Sequence, residues 1–152
     1  MNVRDKIKKV VESHELLRLA TVDENGMPKV RSVDYAVDKE DESVLYFMTF
    51  KQTNKVNELR KNNNVHVVID KEAGSIEELA QILYFKASGK AYEVDTQEEV
   101  QKAMGLIIEK YPYLSDLPGD PSMMTVFRIE LDKIVVTDNS VEFGYMEEET
   151  YR

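Results

Sequence analysis

The run Phe47-Met48-Thr49-Phe50-Lys51-Gln52-Thr53-Asn54-Lys55 carries the clearest chemistry in this chain. Its apolar half predicts a strand, and its polar half predicts a helix that starts at Thr53. The first amides of a helix lack partners, and the helix dipole is positive there. Two hydroxyls, Thr49 and Thr53, and the Lys55 ammonium accompany that end, an arrangement that suits a phosphate. The same residues permit a plainer reading, in which Thr53 caps the helix and Lys55 is solvated. Arg31 is the second feature. It stands mid-strand among apolar neighbours, where an unpaired guanidinium is costly. It needs an anion: an acidic side chain such as Asp34 or a surface Glu, or a phosphate shared with Lys55. The planar fork of Arg donors matches a phosphate well.

Other chemistry is sparse. The two histidines, His14 and His66, stand alone, one on a helical stripe and one in a Val-rich strand. Both read as structural. No Ser-His-Asp set and no metal-site spacing is evident. With no cysteine there is no disulfide, thiolate nucleophile or cysteine-ligated metal.

The elements that must position these residues follow from periodicity. Val3, Ile7, Val10, Val11, His14 and Leu17 recur at helical spacing and predict an amphipathic first helix. The period then changes to that of strands. Arg18 to Val22 leads into Asp23-Glu24-Asn25-Gly26, whose Asn-Gly pair signals a hairpin turn. Pro28 to Val37 and Val44 to Phe50 are the next strands. The latter is apolar on both faces and needs a second covering layer, either a helix or another subunit. A helix over Thr53 to Lys61 and a strand over Val65 to Asp70 follow, then a polar excursion from Lys71 to Glu78. Ile82 to Val94 is a long strand with a bulge or kink at Gly89. Thr96 opens a helix with the stripe Val100, Ala103, Met104, Ile107, Ile108 and Tyr111. Pro112 ends it. Residues 112–124 read as a proline-rich loop. Such long loops are often functional, and this one carries Tyr113, Leu114, Leu117 and Met123. Thr125 to Thr137 is the last long strand, Val141 to Tyr145 a short one, and Glu147 to Glu149 a mobile acidic tail. One α+β domain over 1–152 follows, a six-stranded antiparallel split barrel of Greek-key type with flanking helices.

The chain has 152 residues and a formal charge of −9. Its basic residues form no long run, which argues against nucleic-acid and anionic-membrane partners. No stretch reaches the roughly 18 apolar residues of a membrane helix. The charged N-terminus lacks the apolar core of a signal peptide, so a cytoplasmic location is expected.

Several pieces now line up in order: Leu19-Ala20-Thr21, Gly26-Met27-Pro28-Lys29-Val30-Arg31-Ser32-Val33, Leu45 to Thr49, Thr53-Asn54-Lys55, Asn62 to Val65, and Ser88-Gly89-Lys90-Ala91 before a helix. Together they resemble the pyridoxamine 5'-phosphate oxidase-like FMN-binding split-barrel superfamily over roughly residues 15–137. The resemblance implies an FMN whose ring lies along the strand of Arg31, Ser32, Val33 and Asp34, with Arg31 reaching the phosphate. It places Met48 and Thr49 where the next strand meets the flavin, and Thr53 and Lys55 on the phosphate-binding turn. It implies a homodimer, each FMN touched by both chains. There are departures. Asn54 stands where true pyridoxamine-phosphate oxidases carry a second basic residue, and Leu83-Tyr84-Phe85 occupies the region of their Arg-Gln pair. Their C-terminal substrate-holding extension has no recognisable counterpart. The resemblance therefore implies flavin binding more than pyridoxamine-phosphate oxidation. The readings in play are an FMN-dependent oxidoreductase acting on a small molecule, a non-turning-over flavin carrier or sensor, and a split barrel holding haem or a deazaflavin.

Overall fold

The structure, a computed structural model, describes residues 1–152. Its first helix, α1, spans Val3–Ser13 and is closed at its start by a reciprocal capping box between Asn2 and Asp5. Ile7, Val10 and Val11 are fully buried along its inner stripe. The helix ends sooner than its periodicity suggests. His14 is its C-cap, and Leu17 is the first inward residue of a strand. Apolar residues there satisfy both periods.

The strands are β1 (Leu16–Val22), β2 (Pro28–Asp34), β3 (Ala36–Val37), β4 (Val44–Phe50), β5 (Asn64–Ile69), β6 (Leu83–Glu93), β7 (Met124–Asp138) and β8 (Met146–Thr150). The remaining helices are α2 (Asn54–Lys61), α3 (Ile76–Leu79) and α4 (Gln97–Lys110). All ladders are antiparallel, and the order is β2-β1-β5-β6-β7-β4-β3, with β8 added on β7. The sheet curls into a half-barrel of eight strands rather than the six expected.

Two features account for the larger count. The predicted strand from Pro28 to Val37 breaks at Tyr35: β2 pairs with β1, whereas β3 pairs with β4 at the other end of the sheet. Tyr35 is buried at this break. Its backbone N–H donates to the Tyr111 hydroxyl at 3.2 Å, and its own hydroxyl donates to Val11 O at 2.7 Å. The second feature is the C-terminus. The strand expected at Val141–Tyr145 is a turn, and the tail expected to be mobile is β8. Its acidic residues are tied individually: Glu147 to Lys6, Glu148 to Lys133 and Glu149 to Arg4. The carboxylates that suggested solvent exposure are the ones that fasten the strand.

Gly89 does mark an irregularity, since the β6–β7 register shifts between Ser88 and Gly89. A Cβ there would lie 2.6 Å from the Glu130 carbonyl oxygen, so only glycine fits. The polar excursion before β6 contains the short helix α3. The 112–124 loop holds two 3₁₀ turns, Pro112–Asp116 and Pro121–Met123.

The main core lies inside the curl and includes Leu19, Tyr35, Phe47, Val67, Phe85 and Phe127. A second cluster packs the outer face of β4 and β7, through Tyr46 and Val126, against Ala103, Ile107 and Tyr111 of α4 and its end. The second layer that β4 requires is thus α4 of the same chain. Burial of that strand makes no demand on another copy.

Candidate functional site

Between β2 and β4 the curl is not closed by a ladder. Over Pro28–Asp34, β2 pairs with β1 alone, so its other edge keeps unpaired backbone groups. A cavity of about 250 Å³ lies in this seam. Ser32, Val33 and Asp34 form one wall, and Met48, Thr49 and Phe50 form the opposite one. Lys55 closes one part, and Ile107, Leu114, Leu117 and Met124 close another. Six of the eight residues singled out from sequence therefore line one cavity. Arg31 and Thr53 are the exceptions: Arg31 precedes Ser32 on β2, and Thr53 is the N-cap two residues before Lys55.

Thr53 is the N-cap of α2, yet its side chain caps none of the helix amides. Its hydroxyl donates instead to Phe50 O at 3.1 Å and lies 3.5 Å from the Thr49 hydroxyl. No acidic residue occupies the first turn of α2. The positive end of this helix is left without an anion of its own.

Arg31 is held by protein groups. It donates to Glu58 Oε1 at 2.9 Å, to Thr21 Oγ1 at 2.6 Å and to Leu19 O at 3.3 Å. Glu58 sits on α2, three residues beyond Lys55, and also accepts from Thr21 at 2.7 Å. The plainer reading of Arg31, an acidic partner, is present here, but the partner is Glu58 rather than Asp34. The same ion pair fixes the guanidinium beside the start of α2. Lys55 is half-buried, and its pKa is lowered below the usual lysine value. Burial is the larger cause and the charge of Arg31 the second; Glu58 offsets only part. Lys55 forms no ion pair, whereas Arg31 and Arg60 are each paired with a carboxylate. A half-buried ammonium next to a guanidinium, at an uncapped helix start, has the charge and donors that attract an oxyanion.

Burial also raises the Asp34 carboxyl above its ordinary value; Lys110 opposes the rise and Glu15 adds to it. Lys110 reaches over the Tyr35 ring, 3.6 Å from its centroid, with its ammonium enclosed and unpartnered. Burial lowers it to about 8. The histidines stay outside the cavity. His14 Nδ1 bonds Val10 O at 2.8 Å, and burial holds its pKa below the usual imidazole value. His66 is exposed on β5.

The proline-rich loop, singled out only for its length and its apolar residues, contributes Leu114 and Leu117 to the cavity lining. Tyr113 instead points outward at 65% exposure, and Met124 rather than Met123 reaches the wall. Ile107 and Glu58 were missed as site residues. Ile107 looked like any member of an apolar helix stripe. Glu58 had a usable signal, because position i+3 from Lys55 shares its helix face.

A family model described as pyridoxamine 5'-phosphate oxidase matches residues 3–138. The chain belongs to that family. Solved structures agree on the fold at low identity. A haem-binding protein from Mycobacterium smegmatis superposes with a TM-score of 0.81 at 15% identity, over 99% of this chain. The match spans 58% of that longer protein. A FAD-binding protein from Mesorhizobium loti gives 0.70 at 19% identity, covering 90% of this chain and 94% of the other. The haem storage protein HutZ from Vibrio cholerae gives 0.69 at 18%, covering 87% and 92%. No curated protein matches the chain by sequence. No helix is long and apolar enough to cross a membrane.

Proposed function

We propose that this chain is an FMN-binding protein and that it serves as a flavin-dependent oxidoreductase for a small molecule. One observation carries the reading. The seam between β2 and β4 holds a cavity with a free strand edge on one side and an unclaimed cationic helix start on the other. A flavin nucleotide has matching parts, a flat ring with hydrogen-bonding groups along one edge and a terminal phosphate. Lys55 and the first amides of α2 would hold the phosphate, with Thr53 as a hydroxyl donor. Arg31, kept in place by Glu58, would add long-range attraction. Ser32, Val33 and Asp34 would meet the ring through the backbone of β2. Met48 and Thr49 would border its other side.

The bound flavin would supply the electron chemistry, so the protein needs no strong acid or base of its own. The residues present perform three tasks. The apolar walls from Ile107, Leu114 and Leu117 exclude water. The strand edge orients the ring. The cations neutralise the phosphate. Asp34, with its raised pKa, offers a carboxyl that can hold a proton at the cavity wall. A second copy of the chain, implied by the family resemblance, would cover the seam. Support comes from Met27 and Val30, apolar residues of the β2 hairpin that are 58% and 70% exposed beside the site. A cytoplasmic setting fits this reading.

Haem is the other ligand class represented among proteins of this fold. The cavity gives it less support, because neither histidine lines it. Titrating the purified chain with FMN, followed by quenching of flavin fluorescence, tests the proposal. Binding at micromolar affinity is expected, and reduction of bound flavin on anaerobic mixing with a nicotinamide dinucleotide would mark an enzyme. Haem retained with a Soret band, and no FMN binding, would replace the reading.

A further inference from the structure

A second cavity of about 260 Å³ adjoins the first. It lies between β4, α4 and the two 3₁₀ turns. Met48, Phe50, Leu114, Leu117 and Met124 wall both spaces, so an occupant of one lies in contact with an occupant of the other. Met104 and Ile108 of α4 and Pro118 line the second space and not the first. We propose that this slot binds an uncharged aromatic molecule of one or two rings, as the second ligand beside the flavin. The proposal rests on the flavin reading for that role; the slot shares one wall with the flavin cavity and adds Met104, Ile108 and the Pro118–Pro121 turn, which the flavin cavity lacks.

Charge is the first argument. The slot has one ionisable group, Asp120, at its rim. That carboxylate already accepts the Ser122 backbone N–H at 2.9 Å, which lowers its pKa below the usual range. Nothing in the slot would compensate an anion, and a buried unpaired charge is strongly disfavoured. Size is the second. An apolar protein cavity of about 150 Å³ can hold one benzene ring. A space of about 260 Å³ has room for two fused rings but not for a macrocycle. Lining chemistry is the third. Three of the seven methionines, Met48, Met104 and Met124, converge here with Phe50. Thioethers and a ring favour aromatic faces and edges over plain alkyl chains. The slot is also held open in advance. Lys51 N–H donates to Met123 O at 2.8 Å, the Ser115 hydroxyl donates to Pro112 O at 2.9 Å, and Leu117 N–H donates to Leu114 O at 3.2 Å. A preformed slot and a rigid ligand lose little freedom on binding.

The test is methyl NMR on the full chain labelled at its methionines, with the Met48, Met104 and Met124 signals assigned by substitution. The probes are 2-naphthol, naphthalene-2-sulfonate and 1-octanol. Saturable shifts of those three signals by 2-naphthol are expected, with Met1 and Met146 unmoved. The sulfonate and octanol should bind at least tenfold more weakly. Met104→Trp, which fills the slot, and Pro118→Glu, a loop change that leaves the core alone, should each weaken 2-naphthol at least tenfold. Equal binding of the sulfonate or of octanol would overturn the proposal. So would shifts spread over other methionines, or insensitivity to both substitutions. The FMN titration is read separately on the same samples. Loss of FMN binding with 2-naphthol retained removes the flavin reading and leaves the slot. The reverse removes the slot.

Discussion

The N-termini of α2 and α4 begin with the same residue type and end up in opposite electrostatic states. Thr96 caps α4 by accepting the Glu99 N–H at 3.3 Å, and Glu98 and Glu99 fill the first turn. Glu99 then takes Arg128 at 2.7 Å and the Tyr46 hydroxyl at 2.8 Å, so the carboxylate that faces the sheet has protein partners. Thr53 turns its hydroxyl away from α2, no acid follows, and Lys55 adds positive charge where the dipole is already positive. The other two helices resemble α4: Asn2 and Ser75 cap α1 and α3, with acids in the first turn. A helix start that stabilises the fold is capped and acidic. The start of α2 has neither feature, which is what the proposed phosphate site would require of it.

The largest expected effect is on flavin affinity. Charge-assisted hydrogen bonds contribute about 1.5–3 kcal/mol. Lys55→Ala should therefore weaken FMN binding roughly ten- to a hundredfold. Arg31→Ala should weaken it too and should also lower stability, because Glu58 and Thr21 lose their partner. Measuring both by fluorescence titration, with thermal melts alongside, separates the roles. If Lys55→Ala binds FMN as the parent does, the unfilled state of α2 has another explanation.

The next effect is on stability, and it contrasts the two threonines directly. Removing a working N-cap costs about 1 kcal/mol. Thr96→Ala should lose that much in urea melts of the flavin-free chain. Thr53→Ala should lose little, since its hydroxyl caps nothing, yet should weaken FMN measurably. Equal losses in the two variants would mean that Thr53 caps α2 in solution and the comparison fails.

Much of this contrast was legible in the residues. The strand-into-helix run at Phe47–Lys55, the hairpin at Asn25-Gly26, the bulge at Gly89 and the end of α4 at Pro112 each depend on local chemistry. Such features stand out in a single sequence. What escaped depends on partners distant in the chain. The break at Tyr35 arises because Tyr111, 76 residues away, accepts its N–H. The tail from Glu147 became a strand because Arg4 and Lys6, over 140 residues earlier, pair with its carboxylates. Arg31 showed its need for an anion, but its choice of Glu58 over Asp34 rests on how α2 packs across β1. The wall at Ile107 is invisible for the same reason. An apolar stripe does not say which of its members faces a cavity and which a core.

The smallest expected effect is a pH dependence, and it bears on α2 alone. Burial, and then Arg31, lower the pKa of Lys55 below the ordinary 10.5. For a base lowered in this way, the unfolded chain binds more protons than the folded one in the window between the lowered value and 10.5. Stability of the flavin-free chain should therefore rise with pH through that window as the ammonium discharges. Ligand binding runs the other way. A phosphate favours charged Lys55, so FMN affinity is complete below the lowered value and declines as pH rises through it. Lys55→Arg separates this cause from any other alkaline transition. Arginine stays protonated throughout, so the variant should bind FMN with no decline over the same window. The α4 end supplies the control, since Glu99 and Arg128 do not titrate there and Thr96→Ala should leave the FMN pH profile unchanged. Isothermal titration of parent and variant from pH 7 to 10 reads all of this. A decline of the same size in Lys55→Arg would assign it to another group, with Lys110, lowered to about 8 behind Asp34, the nearest alternative.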